Sequence, residues 1–255
     1  MTQVTDRFEQ ALAQAREQER NSIGVQKERL LHAFLKYYLE LDPACHEQKI
    51  AGFVADAFRG GELTEVQTRD LYRLRRKLEA FLEHPDVKHV NVVFPIASVK
   101  WLVWVEEGGL CRPRRKSPKA GGPPQILPEL YGLRTLLRHE KLRFTVAMLQ
   151  IEEYRRLDGW SRDKKRGSHR MERAPLALDA MISLRTSMDY HKLLRDYGTA
   201  ALPPVFTVKE FGKLCRMRQD AAWRGLHVLC LLGVVEKCGK RGRSELYQCT
   251  IDNEQ

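Results

Sequence analysis

The sequence predicts an α/β fold, in which a mixed sheet flanked by helices is followed by a smaller unit of short helices and a β-hairpin. Two observations predict it. Segments with apolar residues at helical spacing alternate with short apolar runs that end at glycine or proline. After Pro203-Pro204 the pattern changes to two short helical segments and a glycine-containing hairpin. The predicted divisions are an N-terminal helical extension (1–27), the α/β domain (28–175, with a basic insertion at 98–175) and a C-terminal domain (176–255).

The first half of the chain is predicted element by element. Residues 1–21 are polar and free of proline and glycine, which suits an exposed helix. The next helix carries apolar residues at helical spacing and ends before Pro43. The elements up to the basic insertion are an exposed helix 1–21, helix 26–41, strand 50–58, a Gly60-Gly61 turn, strand 62–68, helix 69–83 and strand 90–96.

The second half carries two clear boundary signals. Thr207 and Glu210 form a capping box, which predicts a helix that begins near residue 208. Gly233 marks the end of the helix after it. The predicted elements are hairpin 101–105 with 110–116, helix 126–139, strand 142–151, a basic loop 157–173, helix 176–196, helices 208–215 and 219–232, and hairpin 234–238 with 244–250.

Composition excludes several classes of protein. The 255 residues are 43% hydrophobic and 30% charged, as in a chain that buries a sizeable core. The sequence has no run of 18 apolar residues and no apolar secretion signal, so we expect a cytoplasmic protein with no membrane partner. Its six cysteines include no pair at zinc-ribbon spacing. Motifs for phosphate-binding loops, dinucleotide binding and zinc proteolysis are absent from the sequence.

The formal net charge of +11 is concentrated in one block. Residues 110–175 hold 17 Lys and Arg against 7 Asp and Glu, whereas residues 1–90 hold 14 against 15. A localised basic excess favours a polyanionic partner, with nucleic acid first. The block interleaves cations with Trp160, which suits a groove for a phosphate backbone, although a solvated loop has the same composition. Ten of its basic residues form two clusters: Arg112, Arg114, Arg115, Lys116 and Lys119, and Arg162, Lys164, Lys165, Arg166 and Arg170.

An acidic constellation lies on the first predicted hairpin. Glu65 and Gln67 are two residues apart on a strand and share one face, and a tight turn brings that face beside Asp56. Glu47 lies on or just after the leading helix. Carboxylates that converge in this way form an all-oxygen site of the kind that Mg²⁺ prefers. The same residues also suit a hairpin that simply faces solvent.

This order of elements and acids resembles the core of the PD-(D/E)XK nucleases over about residues 28–97, and in particular their Holliday-junction-resolvase-like branch. The resemblance implies a restriction-endonuclease-like mixed sheet and a Mg²⁺- or Mn²⁺-dependent deoxyribonuclease. It implies that Asp56 and Glu65 bind the metal with help from the Val66 carbonyl. It also implies that Glu47 is an outer ligand or a ligand of a second metal, and that Gln67 stands at the lysine position of the motif.

The glutamine at that position departs from the motif. Gln67 carries no charge, so it cannot stabilise a nucleophilic hydroxide as lysine would. Lys49 or Lys77 is a candidate to supply the charge from elsewhere. If neither does, the domain is a degenerate nuclease that binds without cleaving.

The C-terminal elements resemble a winged helix-turn-helix. The resemblance implies that the second helix enters the major groove and that the hairpin tip contacts phosphate or the minor groove. The polar positions of the helix are Arg218, Gln219, Asp220, Arg224 and His227, and the basic residues of the tip are Lys240, Arg241 and Arg243. Winged helices also serve as protein–protein modules, and that use stays open.

Three functional hypotheses follow. The first is a metal-dependent DNA endonuclease that holds DNA with its basic block and winged helix. The second is a non-catalytic DNA-binding protein, either a transcription regulator or the DNA-docking subunit of a complex. The third is a protein–protein scaffold that uses Trp101, Trp104 and the N-terminal helix. A homodimer and a larger assembly both stay open.

Overall fold

The computed structural model describes residues 2–21, 30–106, 109–156, 169–197 and 203–250. Its first half contains α1 (Thr2–Asn21), α2 (Leu30–Leu39), a 3-10 turn (Pro43–Cys45), β1 (His46–Ile50), β2 (Phe53–Arg59), β3 (Glu62–Val66), a 3-10 turn (Leu71–Leu74), α3 (Arg75–Glu83), β4 (His89–Val105) and β5 (Arg115–Lys116).

Its second half contains a 3-10 turn (Pro123–Ile126), α4 (Leu127–Leu130), a 3-10 turn (Tyr131–Leu133), β6 (Leu142–Arg156), β7 (His169–Leu184), α5 (Ser187–Tyr197), β8 (Val205–Thr207), α6 (Val208–Leu214), α7 (Gln219–Leu231), β9 (Val235–Arg241) and β10 (Ser244–Cys249). Among the helices described, none is long and apolar enough to cross a membrane.

A mixed sheet of seven strands organises the described part of the chain. Its order is β1-β2-β3-β4-β6-β7, and β5 is added beside β4. The first three strands are antiparallel neighbours, whereas β4 runs parallel to both β3 and β6. The long parallel pairing of β4 with β6 forms the centre of the sheet, as the α/β prediction requires. The β2–β3 hairpin is thereby held against the edge of β4.

Both faces of the sheet are covered by helices. On one face, Phe34 and Leu35 of α2 cluster with Val93 and Leu149 of the sheet, and α1 joins the same cluster. On the other face lies a second apolar cluster, which joins the strands to α3, α4, α5 and the C-terminal helices. Removal of these apolar side chains from water stabilises the layered arrangement.

The hairpin that carries the acidic residues is confirmed. Arg59 pairs with Glu62 across a turn in which Gly60 and Gly61 have φ of +58° and +92°, a region that glycine adopts without strain. The strand next to this hairpin, β1, was not predicted. β1 precedes the hairpin and contains Glu47, so the placement of that residue on or just after the leading helix is wrong.

The N-terminal helix is less exposed than its polar composition predicts. Ala11 and Ala15 are fully buried, and the rings of Phe8 and Phe34 lie 4.7 Å apart. Arg7 also donates through Nε to the carbonyl of Tyr38 near the end of α2, at 2.7 Å. A narrow stripe of small and aromatic residues is therefore enough to attach α1 to the domain.

The predicted helix over residues 126–139 is mostly wrong. Only α4 is α-helical, and a 3-10 turn lies on each side of it. Pro124 and Pro128 lack amide donors, so a continuous helical ladder cannot pass through them. Gly132 then packs so closely on Tyr72 that a methyl group would lie 2.3 Å from its Cβ.

The predicted helix over 176–196 is wrong up to Leu184 and confirmed from Ser187, where α5 begins. The domain boundary at 175 also needs correction. Residues up to Leu184 belong to β7, which pairs antiparallel with β6 through Leu178 opposite Leu149. The run is rich in Leu, Ala and Met, which favour helix locally, but pairing along the sheet edge overrides that preference. The boundary near 175 therefore falls inside a strand.

The C-terminal elements begin and end as predicted. The Thr207–Glu210 capping box is present, α6 and α7 follow, and β9 and β10 form the hairpin. β8 was not predicted and completes a three-stranded sheet in the order β8-β10-β9. This unit shares its core with the α/β domain, because Gly225 of α7 lies close to Leu127 and Pro128 of α4.

Substitution of Gly132 tests this packing. We expect Gly132→Ala to lower the free energy of unfolding by about 1–3 kcal/mol, because its new methyl group overlaps the Tyr72 side chain. Urea denaturation measures the change. Gly122→Ala is the control, since a Cβ there meets its nearest atom, of Pro124, at 3.7 Å. Equal effects of the two substitutions would contradict the prediction.

Candidate active site

The acidic site lies where the β2–β3 ladder stops. Regular pairing ends at Ala57 opposite Thr64. Beyond that point the carboxylates replace carbonyls as hydrogen-bond acceptors. The amide of Asp56 donates to Glu65 Oε1 at 3.1 Å, and the amide of Val66 donates to Asp56 Oδ2 at 2.7 Å. The expected proximity of Asp56 and Glu65 is therefore confirmed, and it is fixed by reciprocal bonds to the backbone.

Two helices from opposite faces of the sheet bring cationic groups to these acids. Nε2 of His32 on α2 lies 3.3 Å from Asp56 Oδ2. Nζ of Lys77 on α3 lies 2.6 Å from Glu65 Oε2. Each acid thus has its own helix-borne partner, and the site is a four-residue charge network.

Sequence reasoning missed His32, although a signal was present. His32 and Lys36 are four residues apart and therefore share one face of α2. Lys36 Nζ contacts Glu47 Oε1 at 3.0 Å, so the two side chains reach acidic residues on neighbouring strands. The spacing of these two residues would have identified the face of α2 that meets the acids.

The two central carboxyls differ in burial and in pKa. Burial has the largest influence on Asp56 and raises its pKa, but the His32 hydrogen bond and charge, the Val66 amide and the Lys77 charge together bring the pKa below its usual value. Burial and the negative charge of Asp56 raise the pKa of Glu65 to about 7, in spite of Lys77. The site therefore combines an ionised carboxylate with a carboxyl that exchanges its proton near neutral pH, a division typical of acid–base sites.

The other predicted site residues lie differently. Glu47 is 63% exposed, and its described ion pair is with Lys36 rather than with the central acids. The Gln67 amide group donates to the carbonyl of Arg69 at 2.6 Å, so it points into the following loop. Lys49 makes no ion pair within the described ranges. Of the two lysines named as substitutes for the missing charge, Lys77 is the one beside the acids.

The basic block is partly neutralised. Arg114 lies 3.6 Å from Glu152 and stacks over Trp101, while Arg170 and Arg155 flank the buried Glu153. Arg112 pairs with Glu106. In the part of the chain that the structure describes, Arg115, Lys116 and Lys119 have exposed side chains without ion pairs. Four predicted DNA-binding residues and Trp160 lie outside the described residues: Arg162, Lys164, Lys165 and Arg166.

The cations of α7 and of the hairpin tip also differ in whether an acidic residue pairs with them. Asp220 pairs with both Arg218 and Arg224, at 3.3 and 3.6 Å. His227 packs beside the ring of Tyr131. Gln219 is exposed at the first turn of α7. At the tip, Lys240 pairs with Glu245 and Arg241 with Glu210, whereas Arg243 has no described partner.

Comparison with known proteins gives a family without an assigned function. A family model described as "Domain of unknown function (DUF8091)" matches residues 29–185, more than half of the chain, and the chain belongs to that family. The match ends one residue after Leu184, the last residue of β7, and it contains the whole acidic site. The chain is also similar to an "Uncharacterized protein" of Treponema pallidum (strain Nichols), at 27% identity over 234 residues, which is 89% of this chain and 87% of the relative. No solved structure matches the chain.

The raised pKa of Glu65 predicts a pH effect on stability. The folded pKa of about 7 exceeds the unfolded value of 4.5, so ionisation of Glu65 opposes folding. The loss of folding free energy that this ionisation causes is absent below about pH 4.5 and complete above about pH 7. We expect the urea midpoint of the wild type to fall relative to that of Glu65→Gln across this window. Glu79→Gln, which alters an exposed pair with Arg75, is the control. Curves for wild type and Glu65→Gln that stay parallel would contradict the prediction.

Proposed function

We propose that the chain is a DNA-binding protein whose Asp56–Glu65 site hydrolyses phosphodiester bonds with Mg²⁺ or Mn²⁺. One observation carries the proposal. Lys77 Nζ lies 2.6 Å from Glu65 and supplies, from α3, the positive charge that Gln67 lacks. A glutamine at the lysine position is therefore compatible with an active site of the PD-(D/E)XK kind.

The order of elements supports the same proposal. Helix α2, strand β2 with Asp56, the glycine turn, strand β3 with Glu65, helix α3 and strand β4 follow one another as in the nuclease core that the sequence resembles. The strand β1 lies between α2 and β2.

The oxygens of the site fit a magnesium ion in part. Asp56 uses Oδ2 for its described contacts, which leaves Oδ1 without a partner in the described chain. Both oxygens of Glu65 are hydrogen-bonded, so Glu65 would join the metal only after Lys77 moves. No group of three or more His, Cys, Asp or Glu residues in the described ranges is arranged to hold a metal ion alone. Mg²⁺ commonly keeps several waters beside one or two carboxylates, so Asp56 with water and substrate oxygens suffices.

The bound metal would supply Lewis acidity and an activated water. The protein's own residues prepare the rest of the site. His32 and the Val66 amide hold Asp56 ionised and oriented. Lys77 places a positive charge where negative charge develops on the phosphate. Glu65, with its raised pKa, accepts and releases a proton near neutral pH.

The C-terminal unit is proposed to be a winged helix-turn-helix that contacts DNA. The order β8, α6, α7 and the β9–β10 hairpin supports this proposal. Because Asp220 neutralises both arginines at the start of α7, we assign phosphate contact mainly to the hairpin tip. Arg243, exposed and without an ion pair among the described residues, is the strongest contact there.

Cleavage assays test the enzymatic part. We expect Asp56→Asn to abolish Mg²⁺-dependent cleavage of plasmid DNA, because the mutant loses the ionised ligand. We expect Lys77→Met to slow cleavage by about 10²–10³-fold, which is typical when one electrostatic stabiliser is removed. Single-turnover rates at saturating DNA give the comparison.

The matched control for that assay is Lys49→Met. It removes a lysine of β1 that lies close to Asp56 in sequence but forms no ion pair with the acids in the described chain. Wild-type cleavage by this variant is expected. Absence of cleavage by the wild type in both metals, or equal rates for wild type and Asp56→Asn, would refute the enzymatic proposal.

The alternative is a DNA-binding protein with a degenerate nuclease site. It is favoured by the 2% exposure of the Glu65 side chain, whose oxygens are already satisfied by Asp56 and Lys77. In that case the charge network only stabilises the ends of β2 and β3. DNA binding would then be the whole function.

Both candidates share a prediction about the hairpin tip. We expect DNA affinity to fall at least about tenfold between 50 and 200 mM salt. We expect Arg243→Ala to lower the slope of log affinity against log salt concentration by about the amount that one phosphate contact contributes. Fluorescence anisotropy with a labelled duplex measures both. Arg195→Ala is the control, because Arg195 lies on α5 and pairs with Asp196. Affinity that does not change with salt would refute DNA binding itself.

A further inference from the structure

A basic cleft opens beside β4, in the gap between its two partner strands on that edge. β3 stops opposite Val93, and β5 begins opposite Leu102 and Trp101. The floor of the gap is formed by Phe94 and Ile96. The cleft has a volume of about 710 Å³, within the range of clefts that bind small or extended ligands.

The loop after β5 forms one wall of the cleft. Its amides bind the edge of β4, from Ser117 to the Lys100 carbonyl at 2.8 Å and from Gly121 to the Ala97 carbonyl at 2.7 Å. Gly121 is needed for this approach, because a Cβ there would lie 2.6 Å from Ile96. The opposite wall is the turn between α6 and α7, which contributes Arg216 and Arg218.

Positive charge dominates the lining. Four cations, Lys100, Lys119, Arg216 and Arg218, face the single acid Glu129. Burial raises the pKa of Glu129 above its usual value. Arg218 and Lys100 have acidic neighbours, at 3.3 Å and 4.0 Å. The side chains of Lys119 and Arg216 have no ion pair within the described residues.

Arg216 also adopts an unusual backbone conformation. Its φ of 53° lies in the left-handed region, where a residue with a Cβ is strained by about 1 kcal/mol and glycine is not. Turns between paired helices often carry glycine. A strained position of this kind is compatible with a role for the side chain, and the Arg216 side chain lines the cleft.

The cleft lies beside the segment that follows the acidic site in sequence. The Gln67 amide donates to the Val93 carbonyl at 2.9 Å, immediately before Phe94 in the cleft floor. Glu129 in the cleft wall accepts a hydrogen bond from the amide of Leu71, in the loop that follows Gln67.

We propose that this cleft binds one strand of DNA, with phosphates on Lys119 and Arg216 and bases against the apolar floor of β4. An apolar floor with a cationic rim suits single strands, whose bases are free to pack against protein. A cleft of this volume accepts a few nucleotides rather than a duplex. The inference rests on the proposed function and names the form in which its substrate is bound.

Binding assays in EDTA test the cleft separately from cleavage. The full chain is titrated into a labelled single-stranded oligonucleotide and into a hairpin duplex of the same composition. We expect Arg216→Gly and Lys119→Ala each to weaken single-strand binding by about 3–10-fold and to make its salt dependence shallower by one contact. Lys213→Ala, which removes an exposed charge from α6 outside the cleft, should bind as the wild type does.

Arg216→Gly keeps the test independent of folding. Glycine accepts φ of 53° without strain, so the thermal midpoint of this variant should be at least that of the wild type. Wild-type affinity in both cleft variants, or equal weakening by Lys213→Ala, would overturn the proposal. Displacement of the strand by inorganic phosphate or a mononucleotide at equal phosphate concentration would also overturn it, in favour of a small-phosphate site.

The outcome separates the cleft from the nuclease proposal. Loss of binding in the cleft variants, together with no cleavage by the wild type, would support the cleft and reject the enzyme. Normal binding in these variants, together with cleavage that depends on Asp56, would reject the cleft and support the enzyme.

Discussion

Glu65 is the residue whose burial constrains the site around it. A carboxylate with 2% exposure is costly to keep unless it is hydrogen-bonded and paired. Its partners come from two elements, the amide of Asp56 on β2 and the ammonium of Lys77 on α3. Asp56 is held in turn by His32 on α2. The network thus connects the helices on both faces of the sheet to β2 and β3. Loss of one member would leave the charge of another without its partner.

The same network separates the protonation behaviour of the two acids. Asp56 gains a histidine and a backbone amide, and its pKa falls below the usual value. Glu65 receives the negative field of Asp56 in a buried position, and its pKa rises. Two carboxylates in equivalent surroundings would repel each other at neutral pH. In this pair the repulsion raises the pKa of Glu65, while the pKa of Asp56 stays below its usual value. The four residues place an ionised carboxylate beside a carboxyl that accepts a proton near neutral pH. The site therefore differs from a pair of solvent-facing acids.

The sequence predicted those parts of the fold that local signals determine. The glycine turn placed Asp56 beside Glu65, and the capping box at Thr207 marked the start of α6. The failures arose where pairing between distant segments decided the structure. Residues 176–184 have helical composition but extend the sheet, because β6 offers an unpaired edge. Glu47 was misplaced because β1 is a short strand with mixed polarity and no periodic signal. His32 escaped notice because its role depends on how α2 is laid across the strands.

Net charge is a coarser guide than the location of unpaired charge. The block at 110–175 holds most of the surplus of +11, yet several of its arginines are neutralised by Glu106, Glu152 and Glu153. Arg216 lies outside that block, in a sequence whose net charge is modest, and is unpaired within the described chain. A phosphate backbone competes poorly for a cation that already has a carboxylate partner, since the existing ion pair must first be broken. The cations proposed to bind phosphate are therefore those that the fold leaves without a partner among the described residues, and the folded arrangement is needed to identify them.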